Sequence, residues 1–346
     1  RDHAVALAPP PLRPVTGNTR RPNDADCEQK HASETIHRKR DDAVERTAAQ
    51  GFAWAIRWPN AACINLRAPL VSARMALEDH VGDVIGKARK GLGFKPEKVA
   101  TAAGLSTDSY NRFEEEGTLE DLPDFEKVGL LLGLAPDKLA TIATGWVPRA
   151  ADLTENKTVR QITTNEGMEV HCYLIWDTET REAALFDTGW SAEPILKEIQ
   201  EHGLSLKHLF ITHTHHDHIA ALTPMRKQFP EVELHSSSPN APERQRNRPD
   251  QVIELGALQI TARETHGHAD DGATYVIDNF PGFAPKVAVV GDAIFAGSMG
   301  GAPNHYQLAR EKVQSEILSL SAETILCPGH GPITTVAEQH VVNPFF

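Results

Sequence analysis

Cysteine is scarce in this 346-residue chain. Cys27, Cys63, Cys172 and Cys327 are widely spaced, and no Cys-x-x-Cys pair occurs. That excludes a dense disulfide framework and points to a reducing compartment. Long hydrophobic runs are missing too: none approaches the roughly 20 apolar residues of a membrane-spanning helix. The Pro-rich start carries no signal-peptide pattern. A cytoplasmic protein without a membrane partner is therefore expected. Positive charge is in short supply, with 35 Lys and Arg against 47 Asp and Glu and a net charge of −12. This argues against a general nucleic-acid or phospholipid coat.

What charge there is falls unevenly. Residues 1–74 hold 12 Lys and Arg against 8 Asp and Glu, including the cluster His37-Arg38-Lys39-Arg40, so the remainder carries a net −16. This segment has Pro9-Pro10-Pro11 and no sustained helical or alternating period, a pattern of disorder. The first methionine is Met75, directly before a helical pattern. Residues 1–74 are accordingly expected to be a disordered or non-native leader, with a working basic arm as the alternative.

Residues 75–147 predict a small helical domain. Val81, Val84, Ile85 and Ala88 share one helical face. Pro96 suits a first helical turn, Gly104 a helix end and Ser106 the N-cap of the next helix. Phe125, Val128, Leu130, Leu131 and Leu134 form another apolar face. The stretch from Val99 to Ser106, followed by Tyr110-Asn111-Arg112-Phe113-Glu114, resembles the helix-turn-helix of the phage-repressor family. DNA binding would then fall to Thr107–Glu116, which offers one arginine against Asp108, Glu114, Glu115 and Glu116. Phosphate contacts need cations, so a docking or dimerising module, including a homodimer, is an equal reading. A gel-shift at low salt separates the two.

After a linker at 146–152, strand and helix patterns alternate: strands at 169–176 and 183–186, a helix around Ile195–Ile199 and a strand at 206–211. At its end stands His213-Thr214-His215-His216-Asp217-His218. Four imidazoles and a carboxylate in six residues are too many for one tetrahedral ion and suit two cations side by side. Further candidates follow where strands should give way to loops: His268 after Thr265-His266-Gly267, Asp292 after Val289-Val290-Gly291, and His330 after Cys327-Pro328-Gly329. Asp187-Thr188-Gly189 lies upstream, after Ala183–Phe186.

These five segments, in this order, resemble the metallo-β-lactamase-fold hydrolases over residues 153–346. The resemblance implies an α/β fold, a four-layer αββα sandwich, here preceded by the helix-turn-helix-like domain. It implies that His213, His215 and His268 hold one metal, that Asp217, His218 and His330 hold the second, and that Asp292 bridges them. A hydroxide shared by the two metals would attack an acyl carbonyl, with Asp217 orienting it. His215 stands where the related flavodiiron reductases usually carry a carboxylate, which favours zinc, with iron or manganese as alternatives. Asp187 is expected to be a structural turn residue that supports the site, His216 to lie at the surface or behind the ligands, His266 either to reach the pocket or to be solvated, and Asp270 and Asp271 to form a solvated turn, with a place near the metals as the alternative.

Within that family the chain is most similar to the glyoxalase II-like group, which implies a small-molecule acyl substrate: a thioester, ester or lactone. Only 16 residues follow His330, where glyoxalase II enzymes carry a further glutathione-binding helical region, and no basic residue lies between Gly297 and Gln307. The loop Ser298–Tyr306 is expected to wall the pocket, with His305 and Tyr306 as substrate-binding residues. The competing readings are a phosphodiesterase on the same site and a DNA-binding regulator whose metal domain senses a ligand.

Overall fold

The computed structural model describes residues 76–118, 122–149, 153, 157–248 and 251–346. The expected leader at 1–74 lies outside them, as do residues 150–152 of the linker.

Five short helices come first: α1 (Val81–Gly91), α2 (Pro96–Ala103), α3 (Thr107–Glu116), α4 (Phe125–Leu132) and α5 (Pro136–Ala143). Local chemistry sets their ends. His80 and Asp83 form a reciprocal capping box at the start of α1, which satisfies two otherwise orphaned amides. Pro96 opens α2, where its missing N–H costs nothing. Gly104 closes α2 at φ 74°, a conformation a side chain disfavours. Ser106 then caps α3 by accepting from the Ser109 amide.

Eleven strands follow among the described residues, in two sheets. The first has the order β1 (Val159–Asn165), β2 (Glu169–Trp176), β3 (Glu182–Phe186), β4 (Ser205–Phe210) and β5 (Glu233–His235). Its first three strands are antiparallel and its last three parallel. The parallel links run through α6 (Glu193–Glu201) and through the short α7 (His216–Ile219) with α8 (Leu222–Gln228). The second sheet contains β6 (Val252–Leu255), β7 (Leu258–Glu264), β8 (Ala273–Asp278), β9 (Val287–Gly291), β10 (Ile325–Pro328) and β11 (Thr334–Thr335), in the order β11-β10-β9-β8-β7-β6. Two more helices, α9 (Tyr306–Lys312) and α10 (Val336–Val342), belong to this half.

Alternation along the strands sends side chains to opposite faces, and three apolar clusters record the result. Tyr173, Phe186 and Phe210 meet Ile260, Tyr275 and Val289 between the sheets. Cys172, Leu174 and Leu185 face the other way, onto Ile195, Ile199 and Met225 of α6 and α8. On the far side Val276, Ala288 and Leu326 pack against Val313, Ile317 and Val336. Helices thus cover the outer face of each sheet, giving a mixed α/β architecture. Cys172 and Cys327 are buried free thiols, and burial pushes both thiols up, away from the reactive thiolate.

The five leading helices share a fourth apolar cluster with the second half of the chain. Val84, Ile85, Phe113 and Leu139 join Met299, Ala302, Tyr306, Ala309 and Phe345. Contact is close enough that a Cβ on Gly91 would stand 2.4 Å from Cγ of Tyr306. Lys87 adds a polar tie by donating to the Met299 carbonyl at 3.0 Å. Among the described residues no helix is long and apolar enough to cross a membrane.

Candidate metal centre

The carboxyl ends of β3, β4, β9 and β10, and the loop after β7, meet at one edge of the sandwich. β4 runs directly into the 213–218 loop. Gly291 ends β9 at φ 50° with Thr212 beneath it, a Cβ there meeting Thr212 Oγ1 at 2.5 Å. That turn delivers Asp292 to the centre. His330 arrives two residues after β10, and His268 from the β7–β8 loop.

All seven residues expected as ligands converge. His215 Nδ1 lies 3.0 Å from His213 Nε2 and 3.1 Å from His268 Nε2. On the other side, Asp217 Oδ2 lies 3.2 Å from His330 Nε2 and 3.6 Å from His218 Nε2. Asp292 stands between the groups: Oδ1 is 3.3 Å from His218, while Oδ2 is 3.5 Å from both His268 and His330 and 4.0 Å from His213. His213, His218, Asp292 and His330 are buried. His216 is exposed and sits edge-on to Trp190 at 5.6 Å.

The outer bonds of the histidines decide which nitrogens are free. His268 Nδ1 faces the Gly301 carbonyl at 3.0 Å, and His330 Nδ1 the Glu169 carbonyl at 2.6 Å. A carbonyl only accepts, so each ring places a proton on Nδ1, which leaves Nε2 as the inward nitrogen that a metal would take. His218 Nδ1 meets Asp187 Oδ2 at 2.7 Å. His213 Nδ1 meets Thr212 Oγ1 at 3.1 Å, and Thr212 itself donates to Asp187 at 2.7 Å. Asp187, in the left-handed region at φ 59°, therefore orients two ligand rings without being a ligand. His218 Nε2 and Asp292 Oδ1 are buried with no hydrogen-bond partner. Orphaned polar atoms in a buried cluster are costly, and a cation between them satisfies both. The donor set fits divalent metal.

Electrostatics say the same. Burial opposes a charge on His218, yet the carboxylates of Asp292 and Asp187 hold it well above the ordinary histidine range. His330, also opposed by burial, is lifted to about 10 by Asp217 and Asp292. Burial and the neighbouring imidazoles push His213 the other way, well below its usual value. Asp292 is held well below the carboxylate range by His218 and His330, against the effect of its burial. Without metal the cluster retains protons to balance its acids, and metal binding must displace them.

Three supporting residues have roles that the sequence does not assign. Asp271, expected in a solvated turn, is buried and accepts from Thr214 Oγ1 at 2.7 Å, which pins the 213–218 loop to the 265–272 loop. Its neighbour Asp270 is exposed and lies 3.6 Å from His305. Before α1, the backbone of Glu78 packs on Gly331, where a Cβ would come within 2.9 Å of its amide. His171, on β2, meets the Gly331 carbonyl at 3.0 Å and Thr163 at 3.0 Å, beneath the His330 loop.

Burial, with the charge of His330, lowers His171 from 6.5 to about 4. Its unfolded form takes up a proton near 6.5 and its folded form only near 4. The contribution to stability is full above 6.5 and is lost as pH falls toward 4, by up to about 3 kcal/mol. Urea unfolding of the metal-free chain at pH 7 and 4.5 should show that loss. It should shrink in His171→Gln; an unchanged loss would remove His171 as the cause.

Beside His215 and His268 opens a cavity of about 420 Å³ lined by Thr214, Ser238, Asn240, Asp270, Asn304 and His305 among others. His305 lines it, as the sequence predicts for a substrate-contacting residue. Tyr306 does not. It begins α9 with its ring 4% exposed, packed among the leading helices and against Phe345 at 6.3 Å. The helical phase explains the difference: one residue on from His305, the chain turns its side chain about 100° away from the cavity.

A sandwich with a His-rich loop at its edge, an aspartate shared by two ligand groups and an open cavity beside them defines a metal-dependent hydrolase. A family model described as the metallo-beta-lactamase superfamily matches residues 166–330. Hydroxyacylglutathione hydrolase GloC of Haemophilus influenzae is 31% identical over 200 residues, 52% of this chain and 93% of that protein. Probable metallo-hydrolase YqgX of Bacillus subtilis is 24% identical over 197 residues, 50% of this chain and 90% of that one. The crystal structure of ETHE1 from Myxococcus xanthus covers 54% of this chain and 83% of its own, at 26% identity and a TM-score of 0.48. The chain belongs to the metallo-beta-lactamase superfamily.

Proposed function

We propose that this chain is a dinuclear zinc hydrolase of acyl compounds, with thioesters as the preferred class. The observation that carries this is the position of Asp292 between the two groups, 3.5 Å from His268 of the first and 3.3 and 3.5 Å from His218 and His330 of the second. Five imidazoles against two carboxylates favour zinc over harder cations. Bound there, two divalent ions would supply a water acidified to near neutrality and a Lewis acid for the carbonyl oxygen.

The chain's own residues divide the remaining work. Asp217, next to His330, is placed to accept a hydrogen bond from the attacking water and fix its direction. Thr214 and His305 line the acyl or leaving-group side of the cavity. The tie from Asp271 to Thr214 holds the loop still, so that binding spends little on ordering it. No serine or cysteine nucleophile is required.

The name of the Haemophilus relative points to hydroxyacylglutathione, and the cavity wall qualifies that. It contains histidine and aspartate but no lysine or arginine, so it offers no cation to the two carboxylates of glutathione. A smaller or neutral thiol leaving group fits better. With zinc present, a short acyl thioester of a neutral thiol should give kcat/KM at least equal to that of a hydroxyacyl-glutathione, and at least about 100-fold above a generic phosphodiester, a margin of roughly 2.7 kcal/mol. A phosphodiester preferred over every acyl substrate would overturn the reading.

The helical segment serves this function as packing, in our reading, and not as a DNA reader. Glu114 of the would-be recognition helix is bound by Arg89 at 2.7 Å, and Tyr110 and Phe113 are buried against the other helices. These helices support Met299 and Ala302, just before Pro303, Asn304 and His305 of the cavity wall.

A further inference from the structure

A second cluster of metal-ligating side chains lies outside the centre, on the β4–β5 pair. His208, Glu233 and His235 each present one ligand atom within 4.8 Å of the others. Strand register brings them together: His208 pairs with Glu233, and Phe210 with His235, across the parallel β4–β5 ladder. Residues two apart share a sheet face, so His208 and His235 stand on the same side, with the Phe210 ring stacked under His235 at 4.5 Å.

We propose that His208, His235 and Glu233 form an additional divalent-metal site, selective for imidazole-preferring ions such as zinc. It is independent of the hydrolase reading. Three features support it.

His208 Nδ1 and His235 Nε2 face one another at 3.1 Å. That matches the 3.0 and 3.1 Å between ligand nitrogens within the main centre. It is also close to the roughly 3.3 Å between two nitrogens bound tetrahedrally at about 2.05 Å. The third group, the carboxylate of Glu233, reaches His208 Nδ1 at 3.7 Å while remaining 72% exposed. It can close on an ion without breaking any packing.

The surroundings are also those of a ligand pair. The Glu254 backbone carbonyl lies against the His208 ring, an outer contact of the kind that fixes His268 and His330. Burial, the larger effect, lowers both imidazoles, His235 to about 4. Both are therefore neutral at pH 7, the form that binds metal. Two histidines and one carboxylate leave a fourth tetrahedral position for water, open on the Glu233 side.

An ion here would join β5 to β4 directly behind the main loop, since the His235 carbonyl accepts from the Ile211 amide at 2.9 Å. Its effect would be structural, by tying a three-residue edge strand to the sheet.

The test counts zinc on the full chain after chelator stripping, reloading and dialysis, alongside thermal melts with and without zinc. The wild type should carry one more zinc per chain than His208→Ala or His235→Ala. Asp292→Ala, which damages only the main centre, should keep that additional ion. Glu233→Gln alters only an exposed side chain and cannot be dismissed as misfolded. It should weaken the additional zinc at least tenfold and remove that part of the zinc-induced rise in Tm. Equal zinc content and equal zinc-induced stabilisation in wild type and Glu233→Gln would show that His208 and His235 are only a hydrogen-bonded pair, and would end the proposal.

Discussion

Asp292→Ala is expected to abolish turnover, lowering kcat/KM by at least about three orders of magnitude, roughly 4 kcal/mol of transition-state stabilisation. The magnitude follows from position. Asp292 is buried among the four inward-facing nitrogens of His213, His218, His268 and His330. Removing it strips a ligand from both groups at once. It also takes from His218 and His330 one of the two carboxylates that hold their pKa values up. Protonated, those rings repel any incoming cation and one another; neutral, they lack the carboxylate that completes the ligand set. Bound metal should fall together with activity, and His213→Ala should do the same from the other side. Asp292→Asn keeps the shape and separates a lost charge from a lost fold. Asp187→Asn should be milder, about 10–100-fold in metal affinity, because Asp187 orients ligands and does not bind. Full metal content and activity in both Asp292 variants would refute this account of the centre.

Why so much of the site could be read from the sequence, and some of it not, comes down to distance along the chain. The expected ligands cluster locally because one loop can present several donors, and 213–218 offers four of the seven. Asp292 and His330 were legible because each follows a short apolar strand and a glycine. Elements with strong local signals also fell where expected: Pro96 opens α2, Gly104 ends it, and Glu169–Trp176 is one strand. What stayed hidden depends on contacts between distant segments. Asp271 looks like any turn aspartate until the fold brings Thr214 against it. His171 is one residue of an apolar strand, and only the Gly331 carbonyl gives it a purpose. Tyr306 was drawn toward the cavity by adjacency to His305, and helical phase sent it into the core. His208 and His235 are 27 positions apart, and only the strand register pairs them.

Gly300→Ala should be nearly as damaging as the loss of a ligand, although residue 300 binds nothing. A Cβ built there would stand 1.9 Å from the Asp292 carbonyl oxygen and 2.8 Å from His268 Nδ1. Neither neighbour can yield cheaply. The first is backbone at the turn that delivers Asp292, and the second is held by the Gly301 carbonyl. The loop must therefore move outward, and it carries two dependencies with it. His268 loses the acceptor that keeps its Nε2 lone pair inward. Met299 and Ala302 shift against the leading helices, whose core they share. Overpacking of this kind costs roughly 1–3 kcal/mol of stability, and the displaced ligand should reduce metal affinity at the His213–His215–His268 group by at least about tenfold. Zinc titration of the stripped variant should thus show one weakened site and one that is nearly normal. A variant with both sites intact would mean that the loop relaxes without disturbing His268, and that the glycine is required by neither.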